Sequence, residues 1–124
     1  MLDTLNQIEL AANDLAELNY QLQLDREALA ALEAEMSLQI LDARNDVGKP
    51  LYSNETARAN ALTLQLRQHT DYQFRLANIR ATEQERARLQ AALERLRGLF
   101  KVELIERQEA IYRAGQSAGL VSVR

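Results

Sequence analysis

The sequence predicts an all-α fold: a long antiparallel helical hairpin of the coiled-coil type, with a short middle helix near its tip. Strong helix formers (Ala, Leu, Glu, Gln and Arg) dominate the 124 residues, whereas aromatic residues, which favour sheets, make up only 5%. Large apolar residues recur at helical spacings over two long segments. One stretch rich in turn-forming residues separates these segments, and the length fits a single helical domain over residues 1–124.

The first element is a long acidic helix, predicted over residues 3–46. Asp3 or Thr4 can cap its start, and Gly48, in a left-handed conformation, and Pro50 end it. A seam of apolar residues at spacings of three and four, interrupted by one charge, indicates packing along a partner helix. The members of this seam are Ile8, Ala11, Leu15, Leu18, Leu22, Asp25, Leu29, Leu32, Met36 and Ile40.

A loop over residues 47–53 leads into a short helix, which is predicted over residues 54–67. Ser53 or Asn54 can accept a hydrogen bond from the free N–H groups of the first turn of this helix. Glu55 is favourably placed, because the start of a helix carries a partial positive charge. The segment is therefore predicted to connect the two long helices.

A second turn is predicted after the short helix. Thr70 followed by Gln73 is a capping-box signature, so a third, Arg-rich helix is predicted over residues 71–114. An uninterrupted helix over residues 54–114 is the alternative. A glycine ends the third helix and leaves residues 115–124 as a tail. The apolar stripe of the third helix comprises Tyr72, Leu76, Ile79, Leu89, Ala92, Leu93, Leu96, Leu99, Phe100, Leu104, Ile105 and Ile111.

A hairpin of two long helices leaves apolar surface in water. Each helix covers only one side of the other, and every Å² of apolar surface left exposed costs about 25 cal/mol. We therefore expect a homodimer, in which two hairpins form a four-helix bundle about a two-fold axis. Separately, Gly98 inside the third helix indicates a close helix crossing or a slight bend there.

The composition argues against an enzyme. The chain has no Cys, and its single histidine, His69, has no Asp or Glu three or four residues away. No glycine-rich phosphate loop is present. We therefore expect no catalytic residue, no metal site, no cofactor and no small-molecule substrate. No secretory signal and no membrane-spanning stretch is found in the sequence, so a cytoplasmic location without a membrane partner is expected.

The charges are distributed unevenly along the chain. Residues 1–45 hold nine acidic and two basic residues, whereas residues 71–114 hold seven acidic and nine basic ones. The basic helix is a candidate nucleic-acid face, with Arg75, Arg86, Arg88, Arg95 and Arg97 as its contacts. Acidic residues are interleaved with these arginines, and no aromatic residue lies among them to stack on a base. This pattern favours a solvated, salt-bridged surface over a nucleic-acid face.

The loop carries the most distinctive motif of the sequence. Residues 48–58 read GKPLYSNETAR, and Ala61-Leu62 and Asp71-Tyr72 follow. This run resembles the "GKPxYSNExxR" loop of small, all-helical coiled-coil proteins of uncharacterised function from bacteria, cyanobacteria and their phages. In those proteins a long helix leads to the loop, a short helix, a turn and a second long Arg-rich helix. The resemblance covers residues 46–100 and implies an accessory protein, of phage type, that acts by binding.

The same loop is the best candidate for a partner-binding site. Tyr52, Asn54, Glu55 and Arg58 place an aromatic ring, an amide, an acid and a base close together, which is more than a turn and a cap require. The alternative is a purely local role, with Tyr52 covering the tip and Glu55 paired with Arg58. The predicted function is a non-enzymatic protein–protein interaction or adaptor module acting through helical surfaces. A nucleic-acid-binding accessory protein that uses the third helix is the alternative.

Overall fold

The computed structural model describes the backbone of residues 1–123 and the side chains of residues 1–116. It contains three helices: α1 (Leu2–Asp42, 41 residues), α2 (Glu55–Gln68, 14 residues) and α3 (Thr70–Val123, 54 residues). No β-strand is formed by the described residues. The predicted all-α fold, two long helices with a short helix between them, is therefore confirmed.

The chain divides into two compact units. One combines Met1–Glu17 with Arg86–Arg124, and the other is Leu18–Glu85. The boundaries fall inside α1 and α3, so each long helix contributes residues to both units. Neither long helix therefore belongs to one unit alone.

The unit Leu18–Glu85 is built on a small apolar core. Leu22 and Leu29 of α1 are buried together with Ile79 of α3, and Tyr72 and Leu76 pack against them. Leu22 and Leu29 are one heptad apart, so both face the same neighbour. All ten residues of the predicted α1 seam are buried or half-buried, Asp25 among them. The heptad-like seam is therefore confirmed.

Two polar contacts fix the direction of the long helices in this unit. The Arg26 guanidinium lies 2.8 Å from the Glu83 carboxylate, and the Tyr72 hydroxyl donates a hydrogen bond of 2.7 Å to Glu33. Position 26 thus meets position 83, and position 33 meets position 72, so α1 and α3 run antiparallel here. The hydrogen bond to Glu33 raises the pKa of Tyr72 above its ordinary value of 10.0, and burial and the negative charge of Glu33 raise it further.

The other unit contains a buried polar side chain. Thr4 is buried, and its hydroxyl donates a hydrogen bond of 2.8 Å to the carboxylate of Glu103. The sequence predicts Thr4 as one candidate cap of the first helix. α1 already begins at Leu2, however, and the Thr4 hydroxyl bonds to Glu103 of α3. Ala11 and Leu93 supply the buried apolar residues of this unit among those described.

A single residue separates α2 from α3. His69 is extended (φ −79°, ψ 109°), so residues 54–114 do not form one uninterrupted helix. The predicted cap at Thr70 is wrong, because the imidazole Nδ1 of His69 accepts a hydrogen bond of 3.0 Å from the backbone N–H of Tyr72. Gln73 does not complete a capping box either. Its side-chain amide donates to the backbone carbonyl of Leu66, 2.9 Å away, and so satisfies the end of α2.

The third helix is longer than predicted. It continues through Val123, so the predicted tail over residues 115–124 is wrong for residues 115–123, and Arg124 lies outside the described residues. A glycine within a helix costs about 1 kcal/mol relative to alanine but does not end the helix unless it turns left-handed. Among the described residues only Gly48 has a positive φ.

Part of the predicted apolar stripe of α3 is not in the core. Leu99, Ile105 and Ile111 are exposed, and every position from Ile105 to Gln116 is exposed as well. A Cβ atom added to Gly98 would meet nothing within 4 Å, so the close helix crossing expected there is not formed within the chain. The apolar pattern of α3 therefore exceeds what α1 covers.

Candidate functional site

The candidate site is the loop between α1 and α2 together with the start of α2. α1 ends at Asp42, four residues before the predicted position. The reason is a set of backbone hydrogen bonds that folds the chain back on itself: Asn45 N–H donates to Lys49, at 2.8 Å, and Leu51 N–H donates to Ala43, at 2.9 Å. These bonds close the loop tightly at its base.

The side chain of Asn45 and the backbone of Gly48 hold the tip of this loop. The Asn45 side-chain oxygen accepts hydrogen bonds from the backbone N–H groups of Val47 (3.1 Å) and Lys49 (3.0 Å). Gly48 has φ +80°, so its predicted left-handed conformation, which favours glycine, is confirmed, but it lies in the loop and does not end α1, which stops at Asp42. Sequence reasoning missed Asn45, although Asn in a turn is the signal that identifies such a contact.

Asn54 is the cap of α2. Its backbone is extended (φ −145°, ψ 169°), and its side-chain oxygen accepts a hydrogen bond of 2.8 Å from the N–H of Ala57. Asn54, not Ser53, therefore fills the predicted capping role. Glu55 lies exposed in the first turn, where a negative charge stabilises the helix end. Of the four candidate residues, Asn54 thus has a defined structural use for its side chain.

Tyr52 and Arg58 lie at the edge of two shallow grooves. Both are half-buried, and the Arg58 guanidinium donates a hydrogen bond of 3.5 Å to the backbone carbonyl of Tyr52. A mainly apolar groove of 230 Å³ lies between the end of α1 and α2; it is lined by Ser37, Ile40, Leu41, Arg58, Ala59 and Leu62. A second groove, of 500 Å³, is lined by Tyr52, Ala57, Asn60, Ala61, Leu64, Gln65 and Gln68.

The structure brings the four candidate residues into one segment, with Tyr52 and Arg58 facing different grooves. Chemically, the segment offers an aromatic ring, a cation and an anion beside apolar pockets. Sequence reasoning missed the α1 wall of the first groove, formed by Ile40 and Leu41. Leu41 is exposed although it is a large apolar residue, and this exposure is visible only in the structure.

The candidate arginines belong to two different units of the chain. Arg75 belongs to the unit Leu18–Glu85 and is paired with Asp71 at 3.3 Å. The other four lie in the second unit, and each residue turns an α-helix by about 100°. By this rotation Arg86 and Arg97 share one side of α3, whereas Arg88 and Arg95 lie on the opposite side. A continuous phosphate-binding ridge is therefore not supported within this unit.

Three further observations concern ligands and relatives. Among the residues that the structure describes, no group of three or more His, Cys, Asp or Glu side chains is placed to hold a metal ion. In the same part of the chain, no helix has the length and apolar character that crossing a membrane requires. No protein-family model, curated protein or solved structure matches the sequence.

Proposed function

We propose that the chain is a non-enzymatic protein–protein interaction module that acts through its helical surfaces and its loop. One observation carries the proposal. Of the residues whose side chains the structure describes, seven apolar residues are buried, whereas seventeen large apolar residues are exposed. Neighbouring exposed apolar side chains on one side of a helix, such as Leu99, Val102 and Ile105 of α3, mark surfaces that a partner covers.

Self-association is the first part of this function. Two copies that pack their exposed helical faces together would remove apolar side chains of both from water, and a two-fold axis needs only one self-complementary face. A homodimer with four packed helices is the arrangement we propose.

Binding of a second, different protein is the other part, and we assign it to the loop and the start of α2. Tyr52 and Arg58 flank grooves with apolar walls, and Glu55 is exposed beside them. Aromatic and arginine side chains beside apolar pockets are the groups that most often dominate protein interfaces. The resemblance of the loop supports an accessory role of phage type, and we place the protein in the cytoplasm.

Affinity capture from host lysate tests the loop as a binding site. The tagged wild-type chain is compared with the double variant Tyr52→Ala and Arg58→Ala, with and without nuclease, and the eluates are identified by mass spectrometry. We expect a defined protein that survives nuclease and is lost from the double variant. Arg67→Ala is the matched control, because Arg67 is an exposed arginine of the same helix outside both grooves.

The nuclease arm separates the proposal from the alternative of nucleic-acid binding. Captured proteins that disappear with nuclease would contradict the proposal and favour the arginines of α3. Binding through phosphate contacts also weakens steeply as salt is added, whereas a packed apolar interface does not. A capture that is the same for wild type and double variant would contradict the assignment to the loop.

A further inference from the structure

One side of α3 carries a charge pattern that is complementary to itself. Arg95, Val102 and Glu109 are seven residues apart, which is close to two helical turns, so the three side chains share one side of the helix. All three are exposed. This side points away from the core, because nine residues, or two and a half turns, separate Val102 from the buried Leu93.

Apolar residues lie at the centre of this pattern. Leu99 lies three residues before Val102, and Ile105 lies three residues after it. Leu99 is 48% exposed, Val102 51% and Ile105 55%. Gly98 lies beside them and has no side chain, and an added Cβ would meet nothing within 4 Å, so the helix backbone is open to a neighbour at this point. We call Arg95, Leu99, Val102, Ile105 and Glu109 together the α3 outer face. In these five residues the apolar side chains lie between a cation and an anion, and the exposed Glu106, four residues after Val102, lies on the same side of the helix beside Ile105.

We infer that the α3 outer face pairs with the same face of a second copy, in antiparallel orientation, with the two-fold axis at Val102. Residues equally far from the axis then oppose each other. Leu99 meets Ile105 of the second copy, and Arg95 meets Glu109 of the second copy; the symmetry repeats each contact. This inference rests on the self-association part of the proposed function and specifies the surface and the direction of pairing.

The charges favour a second copy of the chain as the partner and an antiparallel orientation of the two α3 helices. In a parallel pair, Arg95 would oppose Arg95 and Glu109 would oppose Glu109, and opposed like charges are unfavourable. In the antiparallel pair, both ends carry opposite charges. Among the residues whose side chains the structure describes, Glu109 forms an ion pair with Arg113 at 3.9 Å, and its side chain is 61% exposed, so its carboxylate is accessible to a second copy. A partner of unrelated sequence would not require a pattern that is symmetric about Val102.

Charge reversal with mixing tests the inference. The variants Arg95→Glu and Glu109→Arg each place like charges at both ends of the pair, so we expect the dimer dissociation constant of each to rise about tenfold, as measured by sedimentation equilibrium. An equimolar mixture of the two variants forms a heterodimer in which both ends carry opposite charges again. We therefore expect the mixture to dimerise about as tightly as the wild type.

A matched control excludes a general effect of charge. Arg97→Glu makes the same change of charge two residues away, off the α3 outer face, and we expect its dissociation constant to equal that of the wild type. Val102→Glu places a charge on the axis and is expected to give a monomer. Because all these positions are exposed, the far-ultraviolet circular dichroism of each variant reports whether α3 still folds.

The outcomes that overturn the inference are distinct from failure of the proposed function. A dimer that none of these variants weakens, or a mixture that stays monomeric, contradicts pairing through the α3 outer face. In either case the chain can still bind another protein through its loop, which the capture experiment measures separately. A monomeric wild type contradicts the inference and the self-association part together.

Discussion

The hydroxyl of Thr4 links two residues that are far apart in the sequence. It is buried and donates to Glu103 of α3. Valine has nearly the same shape but no donor, so Thr4→Val leaves a carboxylate oxygen without its partner. We expect the free energy of unfolding to fall by about 1–3 kcal/mol, measured by urea unfolding. Thr4→Ser keeps the hydroxyl and is the matched control; an unchanged unfolding midpoint in Thr4→Val would show that the bond contributes nothing.

The hydroxyl of Tyr72 makes stability depend on alkaline pH. Its pKa is raised above 10.0 in the folded chain, chiefly by the hydrogen bond to Glu33. As pH rises through 10.0, the ordinary pKa of tyrosine, Tyr72 loses its phenol proton in the unfolded chain before it does so in the folded chain. The stabilisation is therefore complete below pH 10 and is lost as pH rises through the folded pKa.

The variant Tyr72→Phe tests this coupling. It removes the hydroxyl and keeps the ring that packs against the core, so we expect a loss of about 0.5–1.5 kcal/mol at neutral pH. The difference in unfolding free energy between wild type and variant is expected to shrink above pH 10, as followed by urea unfolding at several pH values. A difference that stays constant to high pH would contradict the coupling. Tyr20→Phe is the control, because Tyr20 is an exposed tyrosine.

At the scale of elements, α2 depends on its cap. It is a short helix without a buried residue, so little packing supports it, and Asn54 satisfies a free N–H group in its first turn. We expect Asn54→Ala to cost about 0.5–2 kcal/mol and to speed amide hydrogen exchange at Ala57. Asn54→Asp keeps an acceptor oxygen and should retain the cap. Equal exchange at Ala57 in wild type and Asn54→Ala would contradict the role of the cap.

Features of the helices that depend only on residues close together in the sequence can be predicted from it. The α1 seam is predictable because apolar residues recur at regular spacings, and a cap at Ser53 or Asn54 is predictable because the acceptor and its N–H groups are adjacent in sequence; the structure identifies Asn54. The end of α1 is not predictable in this way, because it depends on hydrogen bonds across the loop, such as that between Leu51 and Ala43. The cap at His69 is not predicted, because an imidazole nitrogen is a less common acceptor at this position than the hydroxyl of Thr70.

At the scale of the whole molecule, the sequence predicts which side of a helix is apolar but not which apolar residues are covered. That choice depends on the register between α1 and α3, which is fixed by contacts such as Thr4 with Glu103, 99 positions apart. The sequence therefore predicts Leu99 and Ile105 in the apolar stripe of the third helix, although the structure leaves them exposed. The proximity of Tyr52, Asn54, Glu55 and Arg58 follows from their adjacency, whereas the α1 wall of the groove depends on the path of the loop.

The exposed stretch of α3 from Ile105 to Gln116 has a thermodynamic consequence. This stretch continues a helix that is already formed, so no new nucleus is needed, but none of its described side chains is buried and helix propagation alone is only marginally favourable in water. Helix–coil fraying in this stretch is therefore linked to whatever covers Ile105, Ile111 and Tyr112. In the proposed dimer, mass action couples helix content to protein concentration, so a dilution series followed by far-ultraviolet circular dichroism tests association without a label.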